Sequence, residues 1–515
     1  MSGERRVVFV FLGLMLGNGL AALDTTLVAT ALPTIVGDLG GLRDLSWVAT
    51  AYMLTSLACM PLYGKLGDLY GRKRIFLIAI VIFLTGSVLC GLAQSMTQLI
   101  ACRAVQGIGA AGLVALPMAM LGDLFPARDL GRWLGYAGFV FAFSSVAGPL
   151  FGGLFSQHLS WRWAFLVNVP LGIISFTIVA RGLHLPPRRT EHRIDWTGVF
   201  LLVGAVTCVV FVASWGGSRE AWDSPLILVL GSATVCFTVA LVAWERRAPE
   251  PIFPPRLFRI SIARVTLILN LLIGLLFFAA LYFLSAFLQF VDGVSPTDSG
   301  LYLIPLMGSA VCATVLVGRL VVRTGRYRKY PIIGGFVGLA GMLLLVRLDD
   351  ASAPFEVMLG AAVLGFGLGL SMQVLILAIQ NAVEPRDLGV ATSTSMFTRQ
   401  LGGALGLALL GSVFNTQLAH WIAQLVPASA HLDAARLRGR PETLADLSPA
   451  VRDIVAEAFA RSLHTVFLWC IPVAVAALVL AFFLRQLPLR EHVGEQVVEN
   501  VGDDLAVALE GAIVP

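Results

Sequence analysis

Residues Gly64–Arg74 read G-K-L-G-D-L-Y-G-R-K-R and lie between two long apolar runs. The charged members of this stretch are Lys65, Asp68, Arg72, Lys73 and Arg74. Soluble proteins rarely enclose so charged a turn between segments this apolar, whereas cytoplasmic loops between membrane helices are rich in lysine and arginine. The stretch therefore predicts a cytoplasmic turn that joins two membrane helices.

The composition agrees with a membrane protein. Of the 515 residues, 57% are hydrophobic and 13% are charged, against about 25% charged in a soluble domain. Apolar runs of about 20 residues recur, and each can cross a hydrocarbon core of about 30 Å. The runs are continuous rather than alternating, which excludes a β-barrel. We expect an all-α polytopic membrane protein whose partner is the lipid bilayer, with no nucleic acid partner.

Fourteen transmembrane spans are predicted. They cover residues 7–32, 46–64, 75–94, 97–121, 132–155, 163–182, 196–215, 225–244, 264–290, 299–318, 331–347, 355–379, 390–415 and 463–485. With both termini in the cytoplasm, 25 of the 36 Lys and Arg residues fall on the cytoplasmic side when residues at span edges are counted with the adjoining loops. The positive-inside rule favours this orientation. We therefore expect a multi-pass protein of the plasma (inner) membrane.

The charged turn has a second, incomplete copy in G-R-L-V-V-R-T-G-R-Y-R-K, residues 318–329. The aligned pairs are Gly64 with Gly318, Leu66 with Leu320, Gly71 with Gly325 and Arg72 with Arg326. Val322 stands where the first copy has Asp68, so charge pairing is expected to be weaker in the second half. Repeated halves are typical of secondary transporters.

The spacing between the copies predicts six plus two plus six helices. The corresponding domains are an N-terminal bundle (1–182), a linker with two extra helices (183–263), a C-terminal bundle (264–485) and an acidic cytoplasmic tail (486–515). The C-terminal bundle includes a long outer loop, 416–462, whose mixed composition suggests short interfacial helices.

Asp24 is the one carboxylate well inside a span of the first half. A charge at that depth costs about 2.5–3.5 kcal/mol on insertion scales. Asp24 lies about 25 Å along the helix from its start, and Gly13, Gly17 and Ala21 share its face, so a neighbouring helix can approach. Two interpretations remain open: a protonatable transport residue, or a structural carboxylate hydrogen-bonded between helices.

Arg103 is the matching cation and can lower the pKa of a neighbouring carboxylate, although it cannot carry the proton itself. Arg399 and Gln400 lie about nine residues into the thirteenth span. Arg399 either lines a cavity or extends to lipid headgroups. The complete set of candidates for the substrate cavity is Asn18, Thr25, Gln106, Gln289, Arg399 and Gln400.

The fifth predicted span contains Gly148-Pro149 followed by Gly152-Gly153. The four residues remove side-chain bulk and one backbone donor, which predicts a kink and a close-packing face. That face suits a helix that hinges against a partner, and a static packing kink is the alternative.

The sequence gives no support for catalysis or for a cofactor. Gly107–Gly112 fits G-x-G-x-x-G, yet it follows no strand and lies within a membrane helix. No phosphate-binding loop or metal-ligand cluster is found, and the seven cysteines lie in apolar segments at spacings that indicate neither metal ligands nor disulfides. We expect a protein that is not an enzyme and draws its energy from the proton gradient.

These motifs resemble the major facilitator superfamily, and within it the fourteen-helix drug:proton antiporters. The similar stretches are G-K-L-G-D-L-Y-G-R-K-R, L-D-T-T-L-V-A-T-A-L-P-T-I from Leu23, R-A-V-Q-G-I-G-A-A-G from Arg103, and the segment around Gly148-Pro149. The first resembles the family's loop between helices 2 and 3, and the others resemble its signatures on helices 1, 4 and 5. The match covers nearly the whole chain apart from residues 416–462 and the tail.

The resemblance implies a rocking fold that exports small amphipathic compounds in exchange for protons. It implies that Asp24 couples to protons with Arg103 beside the path, and that Gly64, Asp68, Gly71, Arg72 and Lys73 belong to an inner gating loop. Deep acidic residues in the later helices, which some relatives use for dicationic drugs, are absent here. The fold implies a monomer.

The leading hypothesis is therefore a multidrug or antibiotic exporter of the plasma membrane. An exporter of one defined metabolite or siderophore is the alternative. A membrane sensor without transport is a third class with less support.

Overall fold

The computed structural model describes residues 3–39, 45–125, 127–183, 195–216, 220–294, 296–349, 352–425 and 449–489. In this part of the chain the secondary structure is helical, apart from one isolated bridge between Gly216 and Glu220. The helices are α1 (Gly3–Leu39), α2 (Leu45–Tyr70), α3 (Arg72–Gly91), α4 (Met96–Leu124), α5 (Ala127–His158), α6 (Trp163–Leu166), α7 (Asn168–Gly182), α8 (Trp196–Trp215), α9 (Pro225–Glu245), α10 (Pro255–Arg259), α11 (Ser261–Phe290), α12 (Pro296–Tyr302), α13 (Ile304–Thr324), α14 (Lys329–Val346), α15 (Pro354–Ala382), α16 (Leu388–Leu425) and α17 (Pro449–Phe482).

Twelve helical stretches among the described residues are long and apolar enough to cross a membrane. They include α1, α3, α4 and most of the later long helices, whereas α2 and α5, with 26 and 32 residues, are not among the twelve. An all-helical, multi-pass membrane protein is thus confirmed.

Small residues on α1 allow close helix packing, as their spacing predicted. A Cβ added to Gly13 would lie 2.5 Å from Ile178 of α7, and one added to Gly17 would lie 2.7 Å from Phe76 of α3. The Ser175 hydroxyl donates a 2.8 Å hydrogen bond to the Gly13 carbonyl. Larger side chains would push α1 away from both neighbours.

The long helices form two groups. Helices α1 to α7 pack mainly on one another, and so do α11 to α17. The two groups meet along α2 and α16 and along α5 and α13. At the first seam an added Cβ on Gly64 would lie 2.6 Å from the Gly389 carbonyl, so α2 and α16 approach each other closely.

Helices α8 and α9 pair with each other, and α8 lies against the seam of α2 and α16. The rings of Phe200 and Phe237 join α8 to α9 at 6.0 Å between centroids. Trp47 of α2 contacts Phe211 of α8 at 5.4 Å. The Trp222 indole, in the turn between α8 and α9, donates a 2.5 Å hydrogen bond to the Ser412 hydroxyl of α16. The insertion therefore contacts both groups.

Two helix boundaries differ from the prediction for residues 416–462. The predicted spans end at residue 415 and begin again at residue 463. In the structure, α16 continues to Leu425 and α17 begins at Pro449. Leu418 of α16 and Phe459 of α17 are buried in one apolar cluster, which stabilises the extended ends. Residues 426–448 of that loop and residues 490–515 of the tail lie outside the described residues.

The two copies of the charged turn share a backbone feature. Gly71 and Gly325 both have positive φ, 91° and 65°. Glycine adopts this conformation without steric cost. Helix α13 extends to Thr324, six residues past the predicted end of the tenth span, so its turn falls at Gly325 as the alignment requires.

Candidate functional site

Asp24 lies at the centre of a buried polar network. Its carboxylate is fully buried and accepts hydrogen bonds from Arg103 at 2.5 Å, from Gln106 at 2.7 Å and from Asn168 at 2.8 Å. The donors come from α4 and α7, so three helices converge on one carboxylate. Asp24 and Arg103, the cation that matches it in the sequence, form an ion pair.

Arg103 has partners besides the carboxylate. Its guanidinium donates to the Gln106 side-chain carbonyl at 2.7 Å and to the Val48 carbonyl at 3.2 Å. It also lies over the Tyr52 ring, 4.1 Å from the centroid, a favourable position for a cation. The arginine is 1% exposed, so each of these contacts is made away from water.

Some contacts of Arg103 do not depend on the Asp24 carboxylate. A buried cation that loses its counterion is strongly destabilised unless other groups satisfy it. Here an amide oxygen, a backbone carbonyl and an aromatic face surround Arg103 in addition to the carboxylate. The site is thus a buried ion pair whose cation has further acceptors.

Three members of the network were missed in the sequence: Asn168, Ser87 and Tyr52. The Ser87 hydroxyl accepts from Gln106 at 2.7 Å, and the Tyr52 hydroxyl donates to the Ala21 carbonyl at 3.2 Å. Asn168 and Arg103 lie at similar depths in their predicted spans. Each comes a few residues after the first residue of its span. Applying the depth comparison to amides as well as to charges would have found it.

Asp68 joins the two helix groups at the charged turn. Its carboxylate accepts from Arg72 at 2.7 Å, and from the backbone amides of Gly389 at 3.1 Å and Val390 at 2.9 Å. Arg72 also pairs with Asp123 of α4 and donates to the Ala119 carbonyl at 2.9 Å. Asp68, from the other helix group, thus caps the N-terminus of α16. The helix dipole of α16 favours a negative charge at that position.

The remaining gating-loop residues hold neighbouring helix ends. Lys73 donates to the Ala180 carbonyl in the last turn of α7 at 2.8 Å. Lys65 forms a 2.5 Å ion pair with Glu250, in the segment that follows α9. Gly71 provides the positive-φ residue between α2 and α3.

The second copy of the turn has a neutral partner in place of the acid. The Gln486 side-chain carbonyl accepts from the backbone amides of Tyr327 at 3.1 Å and Arg328 at 3.0 Å. Its side-chain amide donates to the Gly325 carbonyl at 3.2 Å. The two ends are therefore held asymmetrically, one by ion pairs and one by an amide.

The α5 motif packs on α1. Gly148 is buried, and a Cβ added there would overlap Thr26. Thr26 donates to the Ser144 carbonyl at 3.2 Å. Helix α5 is continuous through Pro149, and Gly152 is buried. The Pro149 side chain and the surroundings of Gly153 lie outside the description.

The cavity candidates have different environments. Gln106 belongs to the Asp24 network, whereas Gln289 donates to Ser285 and Ser299 at 2.9 and 3.0 Å. Thr25 is exposed and donates to the Ala21 carbonyl at 3.0 Å, and Asn18 is buried on the same helix. Arg399 and Gln400 are half-buried on α16. These residues do not form one cluster in the described structure.

A metal site is not indicated either. Within the described ranges, no group of three or more His, Cys, Asp or Glu side chains could hold a metal ion. All seven cysteines are free thiols.

Comparison with known proteins shows the family. The family model described as Major Facilitator Superfamily matches residues 14–407. The chain is 34% identical to the multidrug transporter protein MdtP of Bacillus subtilis, over 95% of each chain. It is 36% identical to multidrug resistance protein 3 of the same organism, over 92% of this chain and 94% of that protein. It is 38% identical to an uncharacterised MFS-type transporter of Mycobacterium tuberculosis, over 98% of this chain and 73% of that protein.

Solved structures agree on the fold. The human organic anion transporter MFSD10 aligns with a TM-score of 0.62 at 18% identity, over 94% of this chain and all of that one. The proton:xylose symporter XylE aligns with a TM-score of 0.58 at 14% identity, over 94% and 97%. At these identities the likeness shows the fold alone. Together with the family match and the multidrug relatives, it establishes that the chain is a membrane transporter of the major facilitator superfamily.

Proposed function

We propose that this transporter exports amphipathic drugs or antibiotics across the plasma membrane in exchange for protons. The observation that carries the proposal is the fully buried Asp24, held by Arg103, Gln106 and Asn168 between three helices. The names of the Bacillus subtilis relatives, a multidrug transporter and a multidrug resistance protein, support drugs as the substrate class.

Protonation of Asp24 would couple drug export to the inward movement of protons. A neutral carboxyl group loses its ion pair with Arg103, which retains Gln106 and the Val48 carbonyl. The contacts between α1 and α4 then weaken while those between α4 and α2 persist. One charge that crosses 100 mV is worth about 2.3 kcal/mol, enough to maintain a substrate gradient of more than tenfold per proton.

We infer fourteen crossings, arranged as six plus two plus six, with both termini cytoplasmic. Helices α2 and α5 supply the two crossings beyond the twelve apolar stretches, since 26 and 32 residues extend about 39 and 48 Å, more than a bilayer core. The distribution of lysine and arginine supports the orientation. The end that carries Asp68 is then cytoplasmic.

In this arrangement the described conformation is closed on the cytoplasmic side. Asp68 links α2 to the start of α16, and the Gln380 amide of α15 donates to the Met118 carbonyl of α4 at 3.1 Å. We assign Asp68 and Arg72 to the cytoplasmic gate. We assign Gly148 and its neighbours to the contact on which α5 moves against α1.

The test is transport by purified protein in proteoliposomes with an imposed pH gradient and a panel of unrelated drugs. We expect uptake that collapses with a protonophore and is abolished by Asp24→Asn. Normal pH-driven uptake by that variant would contradict the assignment of Asp24. Transport of one panel member alone would favour the single-metabolite exporter.

A further inference from the structure

Arg399 of α16 differs from the buried arginines of the ion pairs. It lies eleven residues after the first residue of α16 and is half-buried. In the described part of the chain it has no hydrogen bond, ion pair or ring contact, whereas Arg103 pairs with Asp24 and Arg72 with Asp68. A cation at this depth is costly, and intramembrane charges usually pair or serve a function.

The register of α15 and α16 shows which way Arg399 faces. These helices are antiparallel neighbours, and the Gln380 amide of α15 donates to the Thr392 hydroxyl of α16 at 2.8 Å. The same amide donates to the Met118 carbonyl of α4, so this contact faces the first helix group. Arg399 lies seven residues beyond Thr392, which is two turns and about 10.5 Å along the same side of α16. It therefore lies on the side of α16 that runs from the contact with α15 to α11, where a Cβ added to Gly274 of α11 would lie 3.1 Å from the Arg399 Cα.

Gln373 reaches the same level from α15. It lies seven residues before Gln380, again two turns and about 10.5 Å away from the shared contact. Its side-chain oxygen is buried and has no hydrogen-bond partner among the described residues. Arg399 and Gln373 thus lie at one depth on neighbouring helices, and the Gln373 oxygen has no partner among the described residues.

No acid in the described part of the chain forms an ion pair with Arg399. Asp24 pairs with Arg103, and Asp68 and Asp123 pair with Arg72. Arginines that extend to headgroups do so near helix ends, and Arg399 lies three turns from the nearer end of α16. Arg399 consequently has a positive charge that no described carboxylate pairs with.

We propose that Arg399 binds the anionic group of an amphipathic substrate, with Gln373 beside it as a second polar contact. A carboxylate or sulfonate matches the fork of the guanidinium, which donates two parallel hydrogen bonds. The apolar part of the substrate lies against the surrounding helices. This inference rests on the proposed function and narrows its substrate class from amphipathic compounds to amphipathic anions.

The test compares one scaffold with and without its charge. Full-length protein in nanodiscs is titrated with 4-(1-pyrenyl)butyric acid and with its methyl ester, and energy transfer from tryptophan to pyrene reports binding. We expect the wild type to prefer the acid. Arg399→Gln should weaken acid binding by roughly 10- to 100-fold and leave ester binding unchanged. Arg399→Lys, which keeps the charge but loses the fork, should fall between them.

The outcomes separate this inference from the proposed function. Equal affinity of the wild type for acid and ester, or an equal loss of both in Arg399→Gln, would overturn the inference. If Arg399→Gln fails to fold, Arg399→Lys decides by the same comparison of acid with ester. Binding needs no pH gradient. A preference for the acid without pH-driven transport would therefore contradict only the proposed export. Conversely, pH-driven drug transport without a preference for the acid would contradict only the anion site.

Discussion

The carboxylate of Asp68 on α2 accepts a 2.9 Å hydrogen bond from the backbone amide of Val390 on α16. This contact joins residues 322 positions apart and crosses from one helix group to the other. The Gly389 amide donates to the same carboxylate at 3.1 Å, and Arg72 holds it from the other side. The charged turn is thus an acidic cap for a helix of the opposite group.

Asp68→Asn should slow the conformational cycle without changing drug affinity. The amide side chain weakens the pairing with Arg72 and the cap on α16 together, so the closed end is less stable. Turnover in proteoliposomes and equilibrium drug binding measure the two effects separately. Val322→Asn at the aligned position is the matched control and should leave turnover close to that of the wild type. A change in affinity with normal turnover would remove the gating role.

The ion pair between Lys65 and Glu250 ties the segment after α9 to α2. The same segment reaches α16 through Arg256, which donates to Asp387 just before that helix at 2.7 Å. Exposed or partly exposed pairs contribute about 0–1 kcal/mol, so Glu250→Lys should cost little stability yet slow transport by repelling Lys65. The exchanged pair, Lys65→Glu with Glu250→Lys, should recover the rate. Failure of the exchange to restore transport would show that the pair itself is unimportant.

Gly148→Ala should destabilise the protein because the added methyl group overlaps Thr26 of α1. Overpacking of this kind costs about 1–3 kcal/mol, which a lowered midpoint of thermal unfolding in detergent would register. Gly231→Ala on α9 is the control, since nothing lies within 4 Å of a Cβ added there. Equal midpoints for the two variants would show that α5 does not depend on close contact with α1 at Gly148.

Asp292, in the turn after α11, provides a prediction on pH. Burial raises the pKa of this carboxyl to about 6, and its Oδ2 atom has no hydrogen-bond partner in the described part of the chain. A folded-state pKa above the unfolded value means that the folded state binds more protons between about pH 4 and 6, so stability falls as pH rises through that window. Asp292→Asn should remove this contribution. The difference in unfolding midpoint between wild type and variant should therefore change between pH 4 and 6.5, and a constant difference would contradict the burial argument.

The pairing of Asp24 with Arg103 could be predicted from sequence because depth along a helix follows from residue number. Asp68 was singled out in the charged turn, but its contact with the start of α16 could not be predicted, since no local pattern encodes which distant amide reaches a carboxylate. Gln289 illustrates the limit for uncharged residues. Its amide donates to Ser285 on the same helix and to Ser299 on α12. Composition alone does not distinguish such partners from a substrate.

The most direct test of the account is proton movement driven by substrate. Proteoliposomes loaded with drug, without a pH gradient and with a pH indicator inside, are diluted into drug-free buffer. The account predicts that drug efflux through the wild type moves protons inward and acidifies the lumen. It predicts that Asp24→Asn moves no protons, although it still exchanges labelled for unlabelled drug. Acidification by Asp24→Asn equal to that of the wild type would contradict proton coupling at this residue.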